Sequence, residues 1–586
     1  MNGKKNEKMK LTNKILTVIT LTLSITSCSD FLEDEIQYTR EEVVTESGLR
    51  SRGIIDDIYT DYSFDYFRDF SNEYLTDNGV SSSEEKSLAS GYWGPTDNPY
   101  SYVWQQSYHN IRQIYQYINL VHNEGLPVYL SENNALLSER LIIRYYGEAH
   151  FLKAWAQWEL LKVFGGPSAS GEMLGFPIVN GILENEEYAT LSRNTYQECV
   201  DQIMADLDVA IANLPLEYEG GESANPAYSE VETGRASGLA AYALKAKVAL
   251  YAASPAFNPS NDLSKWELAA SYAEDFFAQN GGLKNLQSFD FASENNSDHI
   301  WRMRNSRSSN GLEKSLYPPS LYGSGTVNPS QNLIDAFPDA SGYPIDNGLS
   351  TYNATAPYAS RDSRFYKFIF YNNDQCFESA NCTEYNALEI YEGGLDYYGG
   401  FNNSVGTRTG YYLKKYLNNL NFDPSEIDVT TTLPKVYVQL ELNDIYLGYA
   451  EALNEAFGQP SILAAGFNYT AKEVLAKVRQ RAGYTVDPYL DVAATDQSTF
   501  RDLVKNERRI ELCFAGERFH DLRRWKDIET TEDVKGVKIT KNSDDTFSFQ
   551  NIDVERRNYE SKNYYLPLPY AELILNSNLK QNQGWE

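Results

Sequence analysis

Apolar positions recur every three to four residues through most of this chain. The stretches that keep that period are separated by clusters of Gly, Pro, Asn and Ser. Val103, Ile111, Ile114, Ile118 and Val121 predict a helix over 102–121. The same period predicts helices over 43–59, 136–164, 195–214, 238–253 and 266–279, then over 436–457, 471–482, 500–515 and 518–526. Gly165-Gly166-Pro167 stops the 136–164 helix, and Pro215 and Pro255 stop two others. Thr195 with Glu198 three residues later has the form of a capping box. In 518–526, Asp521 lies three residues from both Arg518 and Arg524, a spacing that lets ion pairs lace a short helix.

Small residues sit inside these helices: Gly147, Ala149, Ala154 and Ala156 in one, Gly448 and Ala450 in another. They let helix backbones cross closely. An even series of helices on short connections, with Tyr146-Gly147 and Gly448-Tyr449 at the crossings, resembles tetratricopeptide-like hairpins. The period fails in two places. Residues 71–100 hold Gly79, Gly91, Gly94, Pro95 and Pro99 among Ser, Asp and Asn, which is loop chemistry. Residues 281–433 are rich in Gly, Pro, Asn and Tyr, as in the run from Tyr391 to Gly400. A stretch of roughly 150 irregular residues is too long for a connection. It is expected to be ordered on the helices and to carry binding groups.

The N-terminus follows another pattern. Lys4, Lys5, Lys8, Lys10 and Lys14 precede an uncharged run from Ile15 to Ser27. That run is shorter than the roughly 20 apolar residues a bilayer span needs. It ends in Ile25-Thr26-Ser27-Cys28, the form of a bacterial lipobox. The reading is a lipoprotein signal peptide over 1–27, diacylation at Cys28, and a tether over 28–40 that carries Asp30, Glu33, Asp34 and Glu35. Two acyl chains give stable anchoring where one is marginal.

The formal net charge is -30, and loss of the basic leader makes the mature chain more acidic still. Such a field repels nucleic acid and anionic polymers and suits a neutral or basic ligand. Tyr outnumbers Phe by 45 to 26. A Tyr ring offers a flat apolar face and a polar tip, so Tyr on loops is a candidate ligand platform, while Tyr in helices reads as packing. Cys199 and Cys513 fall in helical patterns and read as buried thiols. Cys376 and Cys382 lie in a polar loop and form a disulfide candidate in an exported protein. No spacing points to a metal or a cofactor. His-Glu-x-x-His, Gly-x-Ser-x-Gly and phosphate-loop motifs are absent, and five scattered His give no triad.

Several motifs occur together in order. They are Asn443-Asp444-Ile445-Tyr446, Val478-Arg479-Gln480-Arg481-Ala482-Gly483, Glu507-Arg508-Arg509-Ile510-Glu511-Leu512 and Gly516-Glu517-Arg518-Phe519-His520-Asp521-Leu522-Arg523-Arg524-Trp525. Leu566-Pro567-Leu568-Pro569 and Gln581-Asn582-Gln583-Gly584-Trp585 close the chain, and Arg361-Asp362-Ser363-Arg364-Phe365 lies upstream. Together they resemble the SusD/RagB family of outer-membrane nutrient-binding lipoproteins. Ser363 stands where that family usually has Pro. The resemblance implies a mostly α, tetratricopeptide-like right-handed superhelix with an irregular loop-rich region packed on it. It implies helical parts over 41–280 and 434–586 around a ligand-binding region over 281–433. It also implies a lid on a SusC-like TonB-dependent transporter, facing the cell exterior, that passes on glycan.

Sugar recognition needs aromatic faces and groups that pair with hydroxyls. The loop from Gly91 to Tyr100 supplies both. By the resemblance, Trp93 and Asn98 are the first candidates, supported by Asp97 and Tyr92. The bland alternative is a Trp that pins the loop to the helices. Tyr317, Tyr322, Tyr397 and Tyr398 are further candidates in the irregular region. The expected protein is a non-catalytic glycan binder. A peptide-binding member of the same family and a surface glycosidase are the alternatives, since a glycosidase needs only two carboxylates.

Overall fold

Among the described residues ten longer helices carry the architecture. They are α1 (Tyr66–Glu73), α2 (Ser101–Ile118), α3 (Ala135–Phe164), α4 (Tyr196–Asn213), α5 (Gly238–Ala253), α6 (Leu263–Gln279), α7 (Leu442–Phe457), α8 (Ala471–Arg481), α9 (Gln497–Glu511) and α10 (Arg518–Trp525). The computed structural model describes residues 53–62, 66–83, 93–125, 135–218, 226–228, 232–291, 293, 296–303, 307–308, 310–375, 387–397, 400, 406–417, 434–531 and 533–586. The signal segment, Cys28, the 28–40 tether and most of the 43–59 helix lie outside them.

From α2 to α8 each of these helices packs on the next, α7 taking its place beside α6 although more than 160 residues separate them. This is the tetratricopeptide-like superhelix. The capping box expected at Thr195 is formed, with the hydroxyl accepting from Glu198 N and the Glu198 carboxylate accepting from Thr195 N. Close crossing explains Gly147: a Cβ there would meet Leu214 Cγ at 2.8 Å. The C-terminus of α3 leaves carbonyls without helical partners and carries the negative end of the helix dipole. Two buried arginines answer it. Arg523 donates to Lys162 O and Val163 O, and Arg193 donates to Phe164 O at 2.8 Å.

The predicted 436–457 helix divides. Val438–Glu441 is a strand, paired antiparallel with His299–Arg302, and the helix begins at Leu442. Ion lacing of α10 is half realised. Arg524 reaches Asp521 at 2.8 Å, but Arg518 turns to Asp77 at 3.3 Å. The C-terminal part is not helical throughout either. Asp533–Lys541 and Phe547–Arg556 form an antiparallel hairpin.

Among the described residues two large apolar cores form, beside a third small cluster of Tyr317, Leu321, Phe370, Leu388, Ile390 and Tyr412. The larger joins the helices of both halves, from Ile55 to Trp585. The smaller gathers Leu333, Phe365, Phe368, Tyr411 and Leu413 from the loop-rich region around Phe514 of the helix-turn and Val537 and Ile539 of the hairpin. The described part of the loop-rich region therefore packs as a layer.

Candidate functional site

The first expected platform is closed. Trp93 is 4 % exposed, and its ring stacks on Trp585 with centroids 5.6 Å apart and planes 15° apart. Lys562 Nζ lies 4.9 Å from the Trp585 ring. Asn98 is buried. Its Nδ2 donates to Pro567 O at 2.6 Å and its Oδ1 accepts from Tyr100 N at 2.8 Å. Tyr100 stacks on Phe519 at 5.9 Å, and its hydroxyl donates to Asn72 Oδ1. Stacking two indoles buries a large apolar area, so this geometry gives Trp93 and Asn98 the role of pinning the loop to the C-terminal segment. Asp97 is exposed at the tip of the Pro95–Asp97 turn, which packs on the short helix Tyr570–Leu575. Tyr570 on that helix is half exposed. Tyr92 lies outside the described residues.

The irregular region behaves differently. Tyr317 is fully buried, with its ring 6.3 Å from Phe370, and is a packing residue in this structure. Tyr322 is 45 % exposed. Its backbone is left-handed, with φ of 60°, at the end of the Pro319–Leu321 turn. That conformation is uncommon for a bulky residue and persists only where the surroundings impose it. From the neighbouring loop Asp396 holds Ser320, two residues before Tyr322. Its carboxylate accepts from Ser320 N at 2.8 Å, Ser320 Oγ at 2.9 Å and Glu389 N at 3.1 Å. Burial pushes the Asp396 pKa up, and those three donors oppose the shift. One carboxylate thus ties together the two loops that carry Tyr322 and Tyr397. Tyr397 is half-buried, and Leu395 beside it is exposed. Tyr398, Cys376 and Cys382 lie outside the described residues.

The hairpin completes this surface. Glu392 N donates to Ile539 O at 2.9 Å. The Glu392 carboxylate pairs with Lys538 Nζ at 2.8 Å and accepts from Thr540 Oγ1 at 3.1 Å. Hydrogen bonding to Glu392 raises the Lys538 pKa, with Tyr397 a lesser contributor. The Lys538–Glu392 pair is solvent-exposed, so it is weak and free to exchange partners. Tyr322 and Tyr397 thus lie on two loops joined through Asp396, and Glu392, Lys538 and Thr540 on the adjoining loop and strand. Nothing in the sequence pairs Ser320 with Asp396, or Glu392 with Lys538. The only local signal was the Gly-flanked run around Leu395-Asp396-Tyr397.

Among the described residues no three His, Cys, Asp or Glu side chains gather as a metal site. Glu73, pushed up to about 7 by burial, is fully enclosed and accepts from Asn78 Nδ2 at 2.7 Å. Cys199 and Cys513 are free, buried thiols. No helix among the described residues is long and apolar enough to cross a membrane.

Comparison with known proteins agrees with this architecture. The sequence model of the SusD family matches residues 286–585, and one described as starch-binding associating with outer membrane matches 30–250. SusD-like protein P25 of Formosa agariphila is 24% identical, over 98% of this chain and 99% of its own length. Among solved structures, a SusD-like protein from Bacteroides fragilis superposes with a TM-score of 0.71 at 24% identity, covering 93% of this chain and 98% of its own. Another from the same organism, described as a SusD-like carbohydrate binding protein, gives 0.66 at 20% identity, over 92% and 100%. A laminarin-binding SusD-like protein gives 0.58 at 19% identity, over 92% and 99%. These superpositions establish the fold.

Proposed function

This chain belongs to the SusD family, and on that premise we propose that it is a non-catalytic, outer-membrane glycan-binding lipoprotein. Its ligand surface is the Tyr322–Tyr397 platform with Lys538, Glu392 and Thr540 at its side. The observation that carries this reading is Tyr322, exposed at a left-handed position two residues after Ser320, which Asp396 ties to the Tyr397 loop. A ring fixed before binding loses little freedom on binding, which is how a shallow site gains affinity. Asp97 with Tyr570 forms a second, outlying contact for a longer chain. The match to a family described as starch-binding, and the likeness to carbohydrate-binding and laminarin-binding proteins, support a sugar ligand. The net charge of -30 favours a neutral one.

The remaining parts of the reading follow from the sequence. Cys28 is diacylated after removal of 1–27, and the acidic 28–40 segment is the tether. The parts over 41–280 and 434–586 form the scaffold, with 281–433 presenting ligand. The folded part sits on a SusC-like TonB-dependent transporter at the cell exterior and passes glycan to it. Cys28→Ala tests the anchor: the protein should leave the membrane fraction with glycan binding intact, and continued membrane retention would refute lipidation at that residue.

The site is tested by a glycan screen of the mature protein followed by Tyr322→Ala and Tyr397→Ala in affinity electrophoresis. Loss of retention with unchanged melting is the expected result. Retention equal to the parent would remove the platform, and Trp93→Ala and Asp97→Ala would then be tried in its place. Hydrolysis of any glycan would overturn the non-catalytic reading, and binding of peptides alone would replace glycan as the ligand.

A further inference from the structure

The C-terminal hairpin runs in antiparallel register from Asp533 opposite Arg556 to Lys541 opposite Phe547. The outer edge of its first strand is covered. Ile539 O accepts from Glu392 N, and Val537 N donates to Thr409 O at 2.8 Å. The outer edge of the second strand is not. Among the described residues the sheet has two strands, and 547–555 make no backbone hydrogen bond outside the hairpin. The register skips Val554, a bulge that ends the regular pairing and leaves 547–553 as a straight edge.

An edge of this kind is normally guarded by Lys, Pro, shortness or a cover, because its free N–H and C=O groups template another strand. Phe547–Arg556 is ten residues long and contains neither Lys nor Pro. Its lower face is held down, with Phe547 5.5 Å from Tyr391 and Phe549 5.4 Å from Tyr358. Ser548 and Gln550 point to solvent. Charge on the hairpin is segregated. Lys535, Lys538 and Lys541 lie on the covered strand with Asp533, while the turn and the open strand carry Asp544, Asp545, Asp553 and Glu555 with Arg556. Asp545 pairs with Lys541 at 3.0 Å and Glu555 with Arg557 at 3.0 Å, which leaves Asp544 and Asp553 to face a partner.

We propose that residues 547–553 are a docking edge that accepts an extended basic segment of another protein as a third strand. Main-chain pairing supplies the affinity, and the acidic turn and strand select the partner's charge. A second copy of this chain is the wrong occupant, because two copies of net charge -30 repel. The inference stands apart from the glycan reading, since it uses neither Tyr322 nor Tyr397.

The test is hydrogen exchange on the mature protein with three synthetic decapeptides. One alternates Lys and Val, one alternates Glu and Val, and one is the Lys–Val peptide N-methylated at alternate amides. Exchange over 547–553 should slow by about tenfold with the Lys–Val peptide and with neither of the others. Asp544→Lys with Asp553→Lys, both at exposed positions, should abolish that protection without changing melting. No protection by the Lys–Val peptide would overturn the proposal, as would equal protection by the N-methylated one. Protection of 547–553 that grows with protein concentration in the absence of peptide would assign the edge to self-association and also overturn it.

Discussion

The ion-pair network behind α9 and the loop surface around Lys538 use charge in opposite ways. Behind α9 charge is buried and paired, and Arg364 of the loop layer joins it through Glu507 and Glu511 at 2.7 Å. Arg508 of α9 reaches Asp444 of α7 at 2.8 Å and Asp521 of α10 at 2.9 Å. Asp444 also holds Lys247 of α5 at 2.8 Å, and Arg524 spans Asp521 and Glu451. Burial alone would raise the Asp444 pKa, but Lys247 and Arg508 outweigh it and hold the carboxyl well below its usual range. In the loop layer the pair nearest the candidate platform, Lys538–Glu392, is about 40% exposed on each side. A buried network specifies one arrangement of helices; an exposed pair can trade its partner for a ligand hydroxyl. The motifs that make the family recognisable are these buried networks, so recognition of the family comes from the scaffold and says little about the ligand.

The strongest way to break the comparison is to open the scaffold network. Arg508→Met leaves Asp444 and Asp521 buried with less compensation. The expected cost is about 3–5 kcal/mol, read as a fall in the urea midpoint. A loss under ~1 kcal/mol would mean that water enters and solvates the carboxylates, and the claim of a sealed network would fail.

Legibility in the sequence divides along the same line. The 238–253 helix has the bounds its periodicity predicts, because its start and stop signals, Ser237 and Pro255, are local. The 436–457 helix was over-read because Val438–Glu441 takes a strand partner at His299–Arg302, far away in the chain. Trp93 lies under Trp585, a partner almost five hundred residues away, and no local pattern distinguishes a pinned indole from a presented one. Tyr322 and Tyr397 were legible as loop aromatics. What places them in adjoining loops, Ser320 bonded to Asp396, is a non-local contact between common residue types.

A smaller effect tests whether the seam between the two regions responds to pH. Glu73, at the end of α1, is pushed from 4.5 to about 7 by burial, with Asn78 opposing. The folded state therefore holds a proton that the unfolded state releases, and stability falls as pH rises from about 4.5 through 7. Scaffold carboxylates with lowered pKa, such as Asp521 and Glu511, act in the opposite sense: their contribution is lost as pH falls below about 4. Glu73→Gln should flatten the decline between pH 5 and 8, by an amount on the order of 1–3 kcal/mol. Urea midpoints at the two pH values for parent and variant measure it. An unchanged slope would assign the decline to other groups.

The smallest change in stability should bring the largest change in binding. Tyr322 keeps φ of 60° with a bulky side chain, which costs about 1 kcal/mol relative to glycine in the same conformation. Tyr322→Gly removes that strain and keeps the turn, since Asp396 bonds to Ser320 and not to Tyr322. Added freedom in the unfolded chain offsets part of the gain, so melting should be unchanged or slightly raised. If the ring is the platform, glycan retention should be lost in the same variant. Stability and binding would then move independently at one residue, as expected of a strained group kept for its ligand and not for the fold. Retention in a variant that melts like the parent would make the left-handed tyrosine a feature of the turn alone. A large loss of stability would place the Tyr322 ring in the packing of the loop layer and erase the contrast between the two regions at this position.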